Sequence, residues 1–108
     1  MTRSKSRPTP TPPEARLIFE DGPRSGTVFP ILLKETLVGR LDSAQLVLDN
    51  GSVSRLHARL TLEPDGVWLE DLDSREGTWI NGVAVRGRTR LEDGDRICFG
   101  DAVLRFEN

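Results

Sequence analysis

His57-Ala58-Arg59-Leu60-Thr61-Leu62-Glu63 alternates residue by residue, with Ala58, Leu60 and Leu62 on one face and Arg59, Thr61 and Glu63 on the other. A period of two is the pattern of a half-buried strand. Pro64-Asp65-Gly66 supplies a turn, and 67–72 (VWLEDL) reads as the strand that returns. Toward the C-terminus the same grammar repeats. A loop over 73–77 leads into 78–80 (TWI), and Asn81-Gly82 is a strong hairpin signal, because both residues tolerate the positive φ of a type I′ turn. Residues 83–85 (VAV) pair back, 95–99 (DRICF) and 102–106 (AVLRF) follow, and Leu91-Glu92-Asp93-Gly94 and Gly100-Asp101 punctuate them.

Toward the N-terminus lie 45–48 (QLVL), 35–39 (ETLVG), 26–33 (GTVFPILL) and 15–20 (ARLIFE). Pro30 demotes the third of these to an edge or broken strand. No helical period occurs. About eleven short strands at turn spacings of roughly 8–12 residues or less predict an all-β fold, an antiparallel sandwich of two sheets with loops gathered at its two ends. Binding residues concentrate on such loops.

Residues 1–13 (MTRSKSRPTPTPP) have no apolar periodicity and cannot bury enough surface to offset ordering entropy, which predicts a disordered Thr/Pro-rich tail ahead of one domain over 14–108. Thr9-Pro10 and Thr11-Pro12 read first as spacer. Read functionally, they are proline-directed phosphorylation sites that dock onto a neighbouring copy, giving self-association through the N-terminal tail.

Composition excludes several classes. The 108 residues carry 30% charged side chains with a net charge of −2, not the basic field of a nucleic-acid module. No apolar run approaches the ~18–20 residues that span a bilayer, and no apolar segment follows the basic N-terminus as in a signal peptide. Cys98, the single cysteine, forms no internal disulfide and fits a reducing, cytoplasmic location. No metal or cofactor is expected. His57 is the single histidine, and Cys98 has no CxxC partner. A nucleophilic Cys98–His57 pair is the enzyme reading, but Cys98 alternates with Ile97 and Phe99, where a small buried thiol is ordinary.

The candidate chemistry lies between Gly39 and His57. Arg40 emerges after a glycine at a strand end, and Ser54, Arg55 and His57 follow the turn cluster Asn50-Gly51-Ser52. Guanidinium forks and a hydroxyl on loops suit a dianionic oxyanion, because charge-assisted bonds are the strong ones. The bland readings are a surface Arg40 paired with Asp42, a Ser54 hydroxyl serving its own turn, and a solvated Arg55 and Arg75.

Gly39-Arg40, Ser54-Arg55-x-His57, Asp71-Leu72-x-Ser74-Arg75-x-Gly77-Thr78 and Asn81-Gly82, with Gly94-Asp95 and Gly100 beyond, together resemble the forkhead-associated (FHA) domain. The resemblance runs from about Ala15 to Phe106. It implies an eleven-strand, SMAD-like sandwich that binds phosphothreonine peptides without catalysis. By position Arg40 resembles the principal phosphate-binding arginine, Ser54 the hydroxyl donor, and Arg55 an added charge. Ser74 and Arg75 would lie in the loop closing over the threonine. Gly39, His57, Gly77, Thr78, Asn81 and Gly82 would shape the loops, with His57 holding Ser54. Where the family has asparagine before Gly-Thr, this chain has Glu76. That asparagine grips the peptide main chain as donor and acceptor, whereas an ionised glutamate only accepts. The implied partner is a protein phosphorylated on threonine by a Ser/Thr kinase. The alternative is a phosphate-independent scaffolding or self-association module on the same fold, and Glu76 is the residue that favours it.

Overall fold

The computed structural model describes residues 15–108, so the expected tail and its Thr-Pro pairs lie outside the described residues. One sheet has six strands in the order β2-β1-β11-β10-β7-β8: β1 Arg16–Phe19, β2 Val28–Pro30, β7 Thr78–Ile80, β8 Val83–Ala84, β10 Arg96–Phe99 and β11 Ala102–Glu107. The other has five in the order β4-β3-β5-β6-β9: β3 Glu35–Gly39, β4 Leu46–Val47, β5 Ala58–Glu63, β6 Gly66–Asp71 and β9 Thr89–Arg90. Among the described residues no helix is long and apolar enough to cross a membrane.

The alternation works as expected. Leu60 and Leu69 face each other across β5 and β6 and are fully buried, as are Leu17, Ile97, Phe99 and Phe106 from the opposing sheet. Burying side chains of this size contributes roughly 1.5–3 kcal/mol each. The outward row of β5 carries Arg59, whose guanidinium pairs with Glu70 at 2.8 Å and Glu35 at 3.6 Å. Pro30 ends the edge strand β2, where a missing N–H is tolerated.

Three features depart from the sequence reading. The β3–β4 pair is parallel, not antiparallel, joining Val38 to Leu46 and Gly39 to Val47. A turn in which Ala44 N–H donates to Leu41 O swings the chain over, and the Gln45 side chain accepts from Leu37 N–H at 2.7 Å in place of a ladder partner. With only two residues to seat, β4 needs no long crossover. Second, β9 is unannounced because Thr-Arg shows no alternation; it exists by pairing with Trp68 and Leu69. Third, Cys98 is half-buried on the outer face of its sheet, between Trp79 and Val103, because Ile97 and Phe99 take the core-facing positions of β10.

β1, β3, β6 and β10 finish, and β5, β7 and β11 begin, at one end of the sandwich. Gly39 lies there against the backbone of the 48–57 loop. A Cβ on it would stand 2.1 Å from Arg55 O and 2.8 Å from Arg55 C. Backbone cannot swing aside as a side chain can. Gly39→Ala is therefore expected to cost at least ~1–3 kcal/mol, the range of overpacking. An unchanged urea midpoint would show that the two segments are not in this close contact.

Candidate functional site

Three loops meet at this end: 40–45 after β3, 48–57 before β5, and 72–77 between β6 and β7. His57 connects two of them. It is fully buried just before β5, its N–H donating to Val38 O. Its Nδ1 accepts from Ser54 N–H at 3.0 Å, and its Nε2 lies 2.9 Å from Gly77 O. A backbone N–H can only donate, so Nδ1 is unprotonated and Nε2 carries the proton it donates to Gly77. The ring meets Phe99 edge-on, with centroids 5.9 Å apart. Both nitrogens are committed.

Arg40 is fixed at its base. Its N–H donates to Ser54 O at 3.1 Å, and Nε donates to Val53 O at 2.8 Å. That leaves the two terminal nitrogens of an exposed guanidinium without a partner among the described residues. Ser54 Oγ accepts from Arg75 N–H at 3.0 Å, so its own proton remains to be donated. The Arg75 guanidinium extends toward Gly51 O at 3.4 Å and Glu76 Oε2 at 3.8 Å. The side chains of Arg55 and Glu76 are exposed, while the Arg55 carbonyl is tied to Leu41 N–H. Arg40, Ser54 and Arg75 are thus brought together through direct bonds, on a surface with Arg55 and Glu76 at its margin.

Ser74 lies in the 72–77 loop, as expected, with its hydroxyl turned inward. Its hydroxyl donates to Asp71 Oδ1 at 2.5 Å and accepts from Gly77 N–H at 2.9 Å, so both capacities are used inside the loop. Asn81 and Gly82 stand apart from the three loops. They form the predicted hairpin turn, with φ of 50° and 83°. The Asn81 amide bonds Asp95 Oδ1 and Arg96 N–H, beyond the far end of the short strand β7.

Asp71 holds the 72–77 loop. It accepts from Ser74 N–H, Ser74 Oγ and buried Thr78 Oγ1, the last at 2.6 Å. Desolvation acts to raise its carboxyl, but the bonds from Ser74 and Thr78 outweigh it and hold the group below the usual carboxylate range. Trp79 braces the same loop from outside: its indole N–H lies 3.4 Å from Glu76 O, and a Cβ on Gly77 would meet that nitrogen at 3.1 Å. Ser52 Oγ takes Asp101 N–H at 2.7 Å and so joins the 48–57 loop to the β10–β11 turn. Among the described residues no cluster of three metal-ligating side chains forms.

The sequence model of the FHA domain matches residues 36–100. This chain belongs to the FHA domain family. The transcriptional regulatory protein EmbR of Mycobacterium tuberculosis is 32% identical over 83 residues, which is 77% of this chain and 21% of EmbR. The glycogen accumulation regulator GarA of the same organism is 33% identical over 95 residues, covering 88% of this chain and 58% of GarA. The chain therefore spans about a fifth to three-fifths of the length of these relatives. A solved structure of EmbR in complex with a low-affinity phosphopeptide superposes with a TM-score of 0.80 at 31% identity, over 87% of this chain and 24% of that one. Another, from a structural and functional analysis of phosphothreonine-dependent FHA domain interactions, gives 0.81 at 29% identity, over 88% and 96%.

Sequence reasoning found Asp71 but not its three donors, since nothing in the spacing says that Ser74 turns inward. In this FHA domain Asp71→Asn should cost ~1–3 kcal/mol, the penalty for disrupting hydrogen bonds to a half-buried charged acceptor. Because the folded carboxyl is depressed, its stabilisation is complete above the unfolded value of about 3.9 and is lost as pH falls through the folded value. Denaturation across a pH series should show the advantage over Asp71→Asn constant from pH 7 to about 4 and shrinking below. An advantage that persists undiminished at pH 2 contradicts the assignment.

Proposed function

We propose that this FHA domain is a non-catalytic signalling module that binds phosphothreonine-containing segments of partner proteins, the mark being written by a Ser/Thr kinase. The observation that carries the reading is the anchored Arg40: with Nε spent on Val53 O, its terminal nitrogens face outward beside the undonated Ser54 hydroxyl. A phosphate of charge ~−1.5 to −2 would receive both, with Arg75 and Arg55 adding positive field. The phosphopeptide carried by EmbR and the phosphothreonine dependence of the second FHA neighbour support the same chemistry. Selection of threonine over serine would come from seating one methyl, worth about 0.8 kcal/mol per buried carbon. Half-exposed Cys98, unpaired, is consistent with work in the cytoplasm.

The Cys98–His57 nucleophilic pair is not supported by the geometry. Both nitrogens of His57 are bonded, alternation along β10 sends Cys98 away from the Phe99 ring that His57 meets, and burial pushes the Cys98 thiol up, away from the thiolate. The second reading is phosphate-independent docking through the outer face of the six-stranded sheet. There Trp79 is 39% exposed in a row with Cys98 and Val103.

Arg40→Ala separates the two. Losing bonds worth about 1.5–3 kcal/mol should weaken a phosphothreonine peptide roughly tenfold to a hundredfold in a calorimetric titration. Partner capture that survives the substitution favours the sheet face. Glu76→Asn, which removes a like charge and restores a donor, should tighten the same peptide. Unchanged affinity would mean that Glu76 does not face the ligand.

A further inference from the structure

Beside the candidate phosphate site lies a cleft of about 180 Å³ between the β1–β2 loop and the start of the 48–57 loop. Phe19, Leu48 and Ala102 give it apolar walls, and Asp21 and Asp49 bring two carboxylates. Small-molecule sites begin at roughly 300 Å³, so this volume suits one side chain rather than a free ligand. A cation already rests on part of its lining. The Arg24 guanidinium lies 4.1 Å from the Phe19 ring centroid and donates to Val47 O at 2.9 Å. Asp21 is anchored, its Oδ1 accepting from Val103 N–H at 3.3 Å, while Asp49 is exposed at the start of the loop. Two carboxylates against one guanidinium leave the cleft net negative.

The cleft shares the 48–57 loop with the candidate site. Asn50 lines it, and the same residue caps the turn that leads to the phosphate side, its Oδ1 accepting from Ser52 N–H and Oγ. From Asn50 to Ser54 is four residues, at most about 14 Å of extended backbone. A bound segment can therefore reach the cleft with a residue within about four positions of the phosphorylated one.

We propose that this cleft is a second subsite of the recognition surface, taking a lysine or arginine side chain that flanks the phosphothreonine in the partner segment. Its aliphatic stem lies along Phe19, Leu48 and Ala102, as long basic side chains cover apolar surface, and its charged head faces Asp49. The proposal rests on the phosphothreonine-binding reading.

The test is a polarisation titration with a phosphothreonine peptide flanked by alanines. A single lysine, and separately a single leucine, is moved through four positions on each side, against wild type and Asp49→Lys. The expected result is one position, or two adjacent ones, where lysine tightens binding about three- to fivefold, as a rim ion pair would. Leucine does not reproduce the gain, and Asp49→Lys abolishes it while leaving the all-alanine phosphopeptide unaffected. An equal gain at every position, a gain that survives Asp49→Lys, or leucine matching lysine overturns the subsite. If the all-alanine phosphopeptide binds and lysine helps nowhere, this proposal alone fails. If no phosphopeptide binds whatever its flanks, the phosphothreonine-binding reading fails and takes the subsite with it.

Discussion

The imidazole of His57 is the tie on which this end of the molecule depends. It belongs to the segment that opens β5 in one sheet, and it reaches Gly77 at the entrance to β7 in the other. One ring thus fixes the 48–57 loop to the 72–77 loop while packing edge-on against Phe99 beneath. Buried polar groups are costly unless satisfied, and here both nitrogens have backbone partners in a single tautomer. With Ser54 N–H fixed by the ring, its hydroxyl is set to meet Arg75 N–H and its carbonyl to meet Arg40 N–H. The candidate phosphate site is a consequence of that geometry.

A second layer keeps the loops in one shape. Asp71 gathers three donors of its own loop, Ser52 reaches the β10–β11 turn, and Gly39 lets the Arg55 backbone approach where any Cβ would collide. The last two are contacts between segments distant in sequence. Such pre-ordering lowers the entropy lost when a ligand orders the loops. It also lets the exposed Arg40 hold its position, since its Nε is bonded to the carbonyl of fully buried Val53.

The strands were legible because burial writes itself as alternation. Ala58 to Glu63 and the Asn81-Gly82 turn could be assigned from composition and spacing alone. What was not legible has local causes. β9 is too short and polar to alternate, and the parallel β3–β4 pair depends on the Gln45 side chain acting as a ladder partner, which no periodicity encodes. At the site, residue types announced Arg40, Ser54 and His57, yet the inward turn of Ser74 follows from the position of Asp71 three residues earlier. Glu76 shows the converse. Its departure from the family pattern is plain in the sequence, while its lean toward Arg75 required the structure.

Charge is distributed so that Arg40 is positioned by a neutral partner, the Val53 carbonyl, whereas the Arg75 guanidinium leans on the Glu76 carboxylate at 3.8 Å. A guanidinium oriented by carbonyls keeps its charge available to an incoming anion, whereas one paired with a carboxylate would have to give that partner up. The central claim is that this unspent charge awaits a phosphate on threonine. The measurement that tests it most directly is a calorimetric comparison of one peptide in three forms, carrying phosphothreonine, phosphoserine or unmodified threonine. The account predicts measurable binding of the first, weaker binding of the second and none of the third. Equal affinity for the phosphorylated and unmodified peptides would contradict it.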